Sequence, residues 1–161
     1  MKELPHGLKL ATVWLVLGTL VFLGVQAWLA ERSRARFTTE AGVIEIRRSA
    51  DGHYHWPGTL DGHAIDFLVD TGATSTAIPG PLAEQLRLPR IGSMQGRTAG
   101  GAVTGSVVRA DLQLQGGVRL SGARLAALPD LHAPLLGMDV LGRLRWQQAD
   151  GVLRIEPQPA R

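Results

Sequence analysis

Residues 67–78 read FLVDTGATSTAI, and they place a carboxylate directly after an apolar run. The run Phe67–Val69 is typical of a buried strand, and the Gly72 that follows is typical of a tight turn. Ala77 and Ile78 then lead back toward a core. Because an unpaired buried charge is strongly disfavoured, Asp70 must serve either the turn itself or a chemical reaction.

Composition narrows the class of protein. The chain has 161 residues, a formal net charge of +3 and no cysteine. This length predicts one domain with additional segments. The arginines are scattered and form no basic stripe interleaved with aromatic residues, which disfavours nucleic-acid binding. The lack of cysteine excludes disulfides, thiolate catalysis and cysteine-based zinc sites.

An uncharged segment of 21 residues, Leu10–Ala30, follows a short tail over residues 1–9. At about 1.5 Å per residue, a helix of this length crosses a hydrocarbon core of roughly 30 Å. Trp14 and Trp28 stand near its two ends, as interfacial aromatic residues do. The segment therefore predicts a transmembrane helix that acts as a signal anchor. The alternative is a cleaved signal peptide with a cleavage site at residues 25–27.

The remaining chain is typical of strands and turns. Residues 31–42 are polar and predict a tether, so the domain is expected over residues 43–157. Pairs such as Asp61-Gly62, Gly116-Gly117 and Asp150-Gly151 stand between strand-like runs and predict hairpins. A helical turn is expected over 81–86 and a short helix over 138–144. Many short strands with glycine turns favour an all-β barrel or sandwich.

Two motifs taken together resemble those of the retropepsin-like aspartic proteases. The first is Asp70-Thr71-Gly72-Ala73 after its apolar strand, and the second is the segment Leu135–Leu141, which reads LLGMDVL. A glycine-rich hairpin lies between them. The chain is most similar to the bacterial members that carry a single membrane anchor, and the similarity covers about residues 54–155. The resemblance implies a closed all-β barrel with one short helix, preceded by the transmembrane helix in the bacterial inner membrane.

The resemblance also implies an activity, aspartic endopeptidase, which needs no metal or organic cofactor. In such enzymes two carboxylates about 3 Å apart share one proton, and the ionised one activates a water. This chain has one Asp-Thr-Gly segment, so Asp70 is expected to meet the same residue of a second copy in a homodimer. Thr71, Gly72 and Ala73 are expected to support the pair.

Further roles follow from the same resemblance. A flap formed by Ala99, Gly100, Gly101 and Ala102 is expected to close over an extended peptide or protein substrate. Leu135, Leu136 and Gly137 are expected to pass beneath the Asp70 loop as a supporting core motif, where glycine permits close backbone approach.

Two other functions remain open from the residues alone. The same fold would serve as a peptide-binding module at the membrane that adds a strand without cutting it. Alternatively, His53 and His55 share one face of a strand, close to His63, so the chain would be a histidine-dependent metal-binding membrane protein. Surface histidines without a ligand are the simpler interpretation of that pattern.

Overall fold

The chain divides into two units, residues 1–36 and residues 37–161. Our computed structural model describes residues 6–34, 37–40, 42–98 and 101–156. The first unit contains one helix, α1 (His6–Arg34). Within the described residues, no helix combines the length and the apolar character that crossing a membrane requires. The transmembrane helix predicted over residues 10–30 is therefore unconfirmed.

The second unit consists of short strands with two short helices in its described part. In chain order these are β1 (Phe37–Glu40), β2 (Val43–Arg47), β3 (His55–Leu60), β4 (His63–Val69), β5 (Ala77–Pro79), α2 (Gly80–Gln85), β6 (Arg90–Thr98), β7 (Gly101–Leu114), β8 (Arg119–Leu128), β9 (Leu135–Leu136), α3 (Met138–Leu141), β10 (Arg145–Ala149) and β11 (Val152–Glu156). The all-β class is confirmed. The predicted helical turn is the helix α2, and the second predicted helix is shorter than expected.

The larger sheet closes on itself. Its strands follow the order β3-β4-β9-β5-β8-β7-β6, and β3 also pairs with β7. This last pairing joins Gly58 to Leu114 and Leu60 to Leu112, which completes a ring of strands. Closure leaves β6 outside the ring as an extension of β7, and it confirms the predicted barrel.

The hairpins form where the turn residues tolerate positive φ. Asp61 and Gly62 adopt φ values of 47° and 83° between β3 and β4, and Asp150 and Gly151 adopt 50° and 74° between β10 and β11. Two successive residues with positive φ match the right-handed twist of the flanking strands. Both hairpins were predicted from these dipeptides, and both are confirmed.

The core lies inside the barrel and beneath a second sheet of order β1-β2-β11-β10. Alternate residues of β2 and β11, such as Ile44, Ile46 and Ile155, are fully buried, while their neighbours face outward. Strand β1 pairs with β2 from Phe37 opposite Ile46 to Glu40 opposite Val43. The tether predicted over residues 31–42 therefore includes a strand, and the sheet begins before the predicted domain boundary at residue 43.

Candidate active site

The two sequence motifs meet in the barrel. Strand β4 runs parallel to β9, with Leu68 opposite Leu135 and Val69 opposite Leu136. The backbone N–H of Asp70 then donates to the carbonyl of Leu136 at 3.0 Å. Asp70 therefore stands at the end of a strand inside the sheet, one residue beyond its last paired position, and its backbone is held by the second motif.

The turn after Asp70 binds the carboxylate itself. The backbone N–H of Gly72 donates to Asp70 Oδ1 at 2.8 Å, and the N–H of Ala73 donates to the carbonyl of Asp70 at 3.3 Å. A Cβ atom on Gly72 would lie 3.2 Å from Oδ1, so glycine permits this close approach. The Asp70 side chain is half-buried, and Thr71 and Gly72 are exposed. The Asp70 carboxylate therefore stabilises the turn and is still accessible to another molecule.

Within the described part of this chain, no second carboxylate makes a hydrogen bond to that of Asp70. The arrangement holds one accessible acid in a defined orientation. A paired-carboxylate reaction would therefore need an acid from another molecule.

A buried hydroxyl connects the Asp70 loop to the second motif. Thr76 is only 1% exposed, and its Oγ1 donates to Asp139 Oδ1 at 2.8 Å. The same Oγ1 accepts from the N–H of Gly137 at 3.1 Å, and the N–H of Thr76 donates to Asp139 Oδ1 at 2.8 Å. We call these three residues the Thr76 network. It gives the buried Thr76 hydroxyl both an acceptor and a donor partner, as a buried hydroxyl requires.

Backbone contacts extend this connection along the loop. The N–H of Met138 donates to the carbonyl of Ala73 at 2.8 Å, and that of Asp139 donates to the carbonyl of Thr74 at 3.2 Å. A Cβ atom on Gly137 would lie 2.5 Å from the Ser75 carbonyl carbon, which is closer than real side chains allow. Both ends of the Asp70 loop are therefore braced by the segment that the sequence assigned to a supporting role.

The sequence interpretation missed Thr76 and gave Asp139 no role beyond the helix motif. The available signal was a threonine in the return to the core and an acid in the first turn of α3. Nothing in their spacing predicts that the two side chains meet, because 63 residues separate them.

A hairpin ribbon projects from the barrel where the flap was expected. Strands β6 and β7 pair from Arg90 opposite Val108 to Thr98 opposite Gly101, whereas β7 pairs with β8 only from Ser106 onward. The part of β7 before Ser106 is therefore bonded to β6 alone. Gly101 and Ala102 begin β7 at the ribbon's end, and the flap residues Ala99 and Gly100 lie outside the described residues.

His55, one of the histidines of the alternative metal-site prediction, lies between two aspartates. His55 contacts Asp51 through Nε2 at 2.8 Å and Asp66 through Nδ1 at 3.1 Å. The hydrogen bonds from the His53 N–H and the His55 ring lower the pKa of the Asp51 carboxyl. Among the described residues, no group of three histidine or acidic side chains has a geometry that would hold a metal ion.

Comparison with known proteins adds a family and a fold. A family model described as aspartyl protease matches residues 56–140, which include the first motif and all of the second except Leu141. The uncharacterized protein RP867 of Rickettsia prowazekii is 39% identical over 51 residues, which are 32% of this chain and 22% of that protein. The match thus spans about a fifth of that relative's length.

Solved structures share the fold. A retropepsin-like aspartic protease from Rickettsia conorii superimposes with a TM-score of 0.57 at 24% identity, over 74% of this chain and 93% of that one. The EIAV protease complexed with the inhibitor HBY-793 gives a TM-score of 0.47 at 19% identity, over 58% of this chain and 89% of that one. The match to the Rickettsia conorii structure shows that the fold of the barrel is retropepsin-like.

Proposed function

Because the chain belongs to the aspartyl protease family, we propose that it is an aspartic endopeptidase, active as a homodimer, in which Asp70 is the catalytic residue. The observation that carries the proposal is the position of Asp70. Its carboxylate is half-buried, is oriented by the Gly72 N–H, and stands on a loop braced from below by the second motif. No other acid of the described chain occupies such a position.

The proposed reaction uses two copies of Asp70 at one site. Two carboxyl groups about 3 Å apart hold a single proton, because both cannot ionise at that distance. The ionised group takes a proton from water, and the water oxygen attacks the carbonyl carbon of the peptide bond. The protonated group donates a hydrogen bond to the carbonyl oxygen and later supplies its proton to the leaving amine. The C–N bond breaks without a covalent enzyme intermediate.

Other residues would position the substrate and the pair. The exposed hydroxyl of Thr71 is available to a second copy, where it would brace the partner loop. The ribbon of β6 and β7 would serve as the flap that covers an extended peptide and excludes water. Ala73 carries no hydroxyl and would act only as a small residue beside the acid.

Mixing two forms of the protein tests both the activity and the shared site. Wild-type protein is incubated with increasing fractions of the Asp70→Asn variant until the subunits have exchanged, and cleavage of a peptide library is followed by mass spectrometry. If each site needs both aspartates, activity falls with the square of the wild-type fraction and reaches about one quarter in an equal mixture. A site within one chain would retain about one half.

The control mixture uses Asp150→Asn, because Asp150 is exposed in the turn between β10 and β11, lies outside both motifs, and has a positive φ that asparagine also tolerates. It should leave activity unchanged at every ratio. A linear decline with Asp70→Asn would contradict the dimer, and the absence of any cleavage by the wild type would favour the alternative, a peptide-binding module of the same fold.

We further propose that residues 10–30 anchor the protein in a membrane, the bacterial inner membrane by resemblance. The support is the uncharged run of 21 residues, whose described side chains include exposed apolar residues such as Leu15 and Phe22. The full chain expressed in bacteria should stay with the membrane pellet after carbonate washing, and a chain starting at residue 37 should not. Release of the full chain by carbonate would contradict the anchor.

A further inference from the structure

An open cleft beside the Asp70 loop is lined by arginines. Its volume is about 560 Å³, and it lies between the first half of β8 and the residues around α3. Its polar and charged lining includes Arg119, Ser121, Arg124, Ser75, Asp139 and Arg143. The three arginines are exposed, and none of them forms an ion pair within the described part of the chain.

Among the described residues that line the cleft, Asp139 is the only one with a carboxylate. Asp139 Oδ1 accepts two hydrogen bonds from Thr76, and Asp139 has no ion pair with Arg143 one helical turn further on. The described lining thus sets three arginines against one carboxylate, which leaves an excess of positive charge.

The strand register places a further arginine next to the cleft, outside its lining. Arg109 on β7 lies directly opposite Arg124 on β8, and both side chains are exposed. Like charges in directly opposed positions destabilise a sheet. The side chain of Arg109 packs instead along Gly122, whose Cβ position is 3.6 Å from Arg109 Cδ. An anion placed between these strands and α3 would relieve this repulsion.

Ser75 connects the cleft to the Asp70 loop and limits their separation. Ser75 lines it and follows Asp70 by five residues, so the two Cα atoms are at most about 18 Å apart. An extended peptide advances about 3.3 Å per residue. A side chain in the cleft would therefore belong to a residue about five positions or fewer from the bond at Asp70.

We propose that this arginine-lined cleft binds acidic side chains of the peptide substrate, outside the scissile bond and on one side of it. The proposal rests on the proposed function, and it assigns the substrate class as peptides with a cluster of carboxylates near the cleavage site. Arginine suits this role because its planar guanidinium binds a carboxylate through two parallel hydrogen bonds. Each exposed pair contributes little alone, so several are needed.

Binding to the inactive Asp70→Asn full chain tests the cleft separately from catalysis. The probes are fluorescein-labelled peptides of about twelve residues with an apolar centre and four glutamates at either the amino or the carboxyl end. Matched peptides carry glutamine instead of glutamate, and affinity is measured by fluorescence anisotropy. We expect one of the two acidic peptides to bind about fivefold to tenfold more tightly than its glutamine counterpart.

Substitutions test whether the preference for glutamate depends on the arginines of the cleft. Adding Arg124→Gln and Arg143→Gln should abolish the preference for glutamate, while the matched pair Arg47→Gln and Arg87→Gln should retain it. Both control arginines are exposed and outside the cleft, and the net charge changes equally. Equal affinity for the acidic and neutral peptides, or the same loss in the control pair, would overturn the proposal. So would tighter binding of a single-stranded oligonucleotide that the cleft variants abolish.

Peptide cleavage by the wild type tests the proposed protease activity separately from the proposed acidic-peptide site. If the wild type cuts no peptide while the glutamate preference depends on Arg124 and Arg143, the cleft stands as an acidic-peptide site and the proteolytic function fails. If the wild type cuts acidic and neutral peptides equally well, the protease stands and the cleft fails.

Discussion

Peptide hydrolysis is expected to fall by about a thousandfold or more when Asp70 is replaced by asparagine, with little change in stability. The amide keeps an oxygen that accepts the hydrogen bond now made by the Gly72 N–H at 2.8 Å. It cannot take a proton from water, and it cannot share one with a second acid. The substitution therefore removes the reaction and leaves the turn intact.

Initial rates on a cleaved peptide, together with thermal unfolding of both proteins, check this expectation. The matched control is Asp150→Asn, which changes the charge equally at an exposed position in the turn between β10 and β11, outside both motifs. Its rate should equal that of the wild type. Substantial activity in Asp70→Asn would show that another group performs the chemistry, and a large fall in melting temperature would show that the carboxylate serves the fold.

A methyl group on Gly137 is expected to destabilise the domain by about 3 kcal/mol and to remove activity with it. The φ of Gly137 is −92°, which alanine adopts without strain, so backbone torsion is not the obstacle. The obstacle is space. The added Cβ would lie 2.5 Å from the Ser75 carbonyl carbon, 2.7 Å from its oxygen and 2.8 Å from the Thr76 nitrogen. Backbone atoms cannot rotate away, so the Asp70 loop or the start of α3 must move.

Urea unfolding of Gly137→Ala, measured beside peptide cleavage, tests this effect. Gly92→Ala is the control, because Gly92 also lies in the barrel unit without a positive φ and a Cβ there meets nothing within 4 Å. It should unfold at the wild-type urea concentration. If Gly137→Ala were as stable and active as Gly92→Ala, the crossing of the two motifs would be looser than the structure shows.

Several hairpins and strands of the barrel unit were predicted from short sequence patterns. Hairpins at Asp61-Gly62 and Asp150-Gly151 were predicted because few residues tolerate the positive φ that such turns require. Strand β4 ends at Val69, the last residue of the apolar run Phe67–Val69 from which a buried strand was predicted. Strand β1 was missed, because the polar composition of residues 31–42 resembles that of a tether and its pairing with β2 is not encoded in that stretch alone.

Some parts of the candidate site were predicted from the sequence and others were not. Asp70 and its turn are contiguous in the chain, so their chemistry was visible in one short segment. The Thr76 network was not, since its partners come from segments far apart in the sequence. The arginine-lined cleft could not be predicted either, because its charges come from β8 and from the turn after α3, and in the sequence they are scattered basic residues.

By itself the sequence determined the hairpins at Asp61-Gly62 and Asp150-Gly151 and the acid that follows β4, because backbone torsion and hydrophobic alternation act over a few residues. Only the tertiary structure decided which groups surround that acid: Leu136 bonded to its backbone, Gly137 pressed against Ser75, and Thr76 joined to Asp139. Hydrogen bonds and close contacts between distant segments depend on how the sheet closes, and closure is a property of the whole barrel.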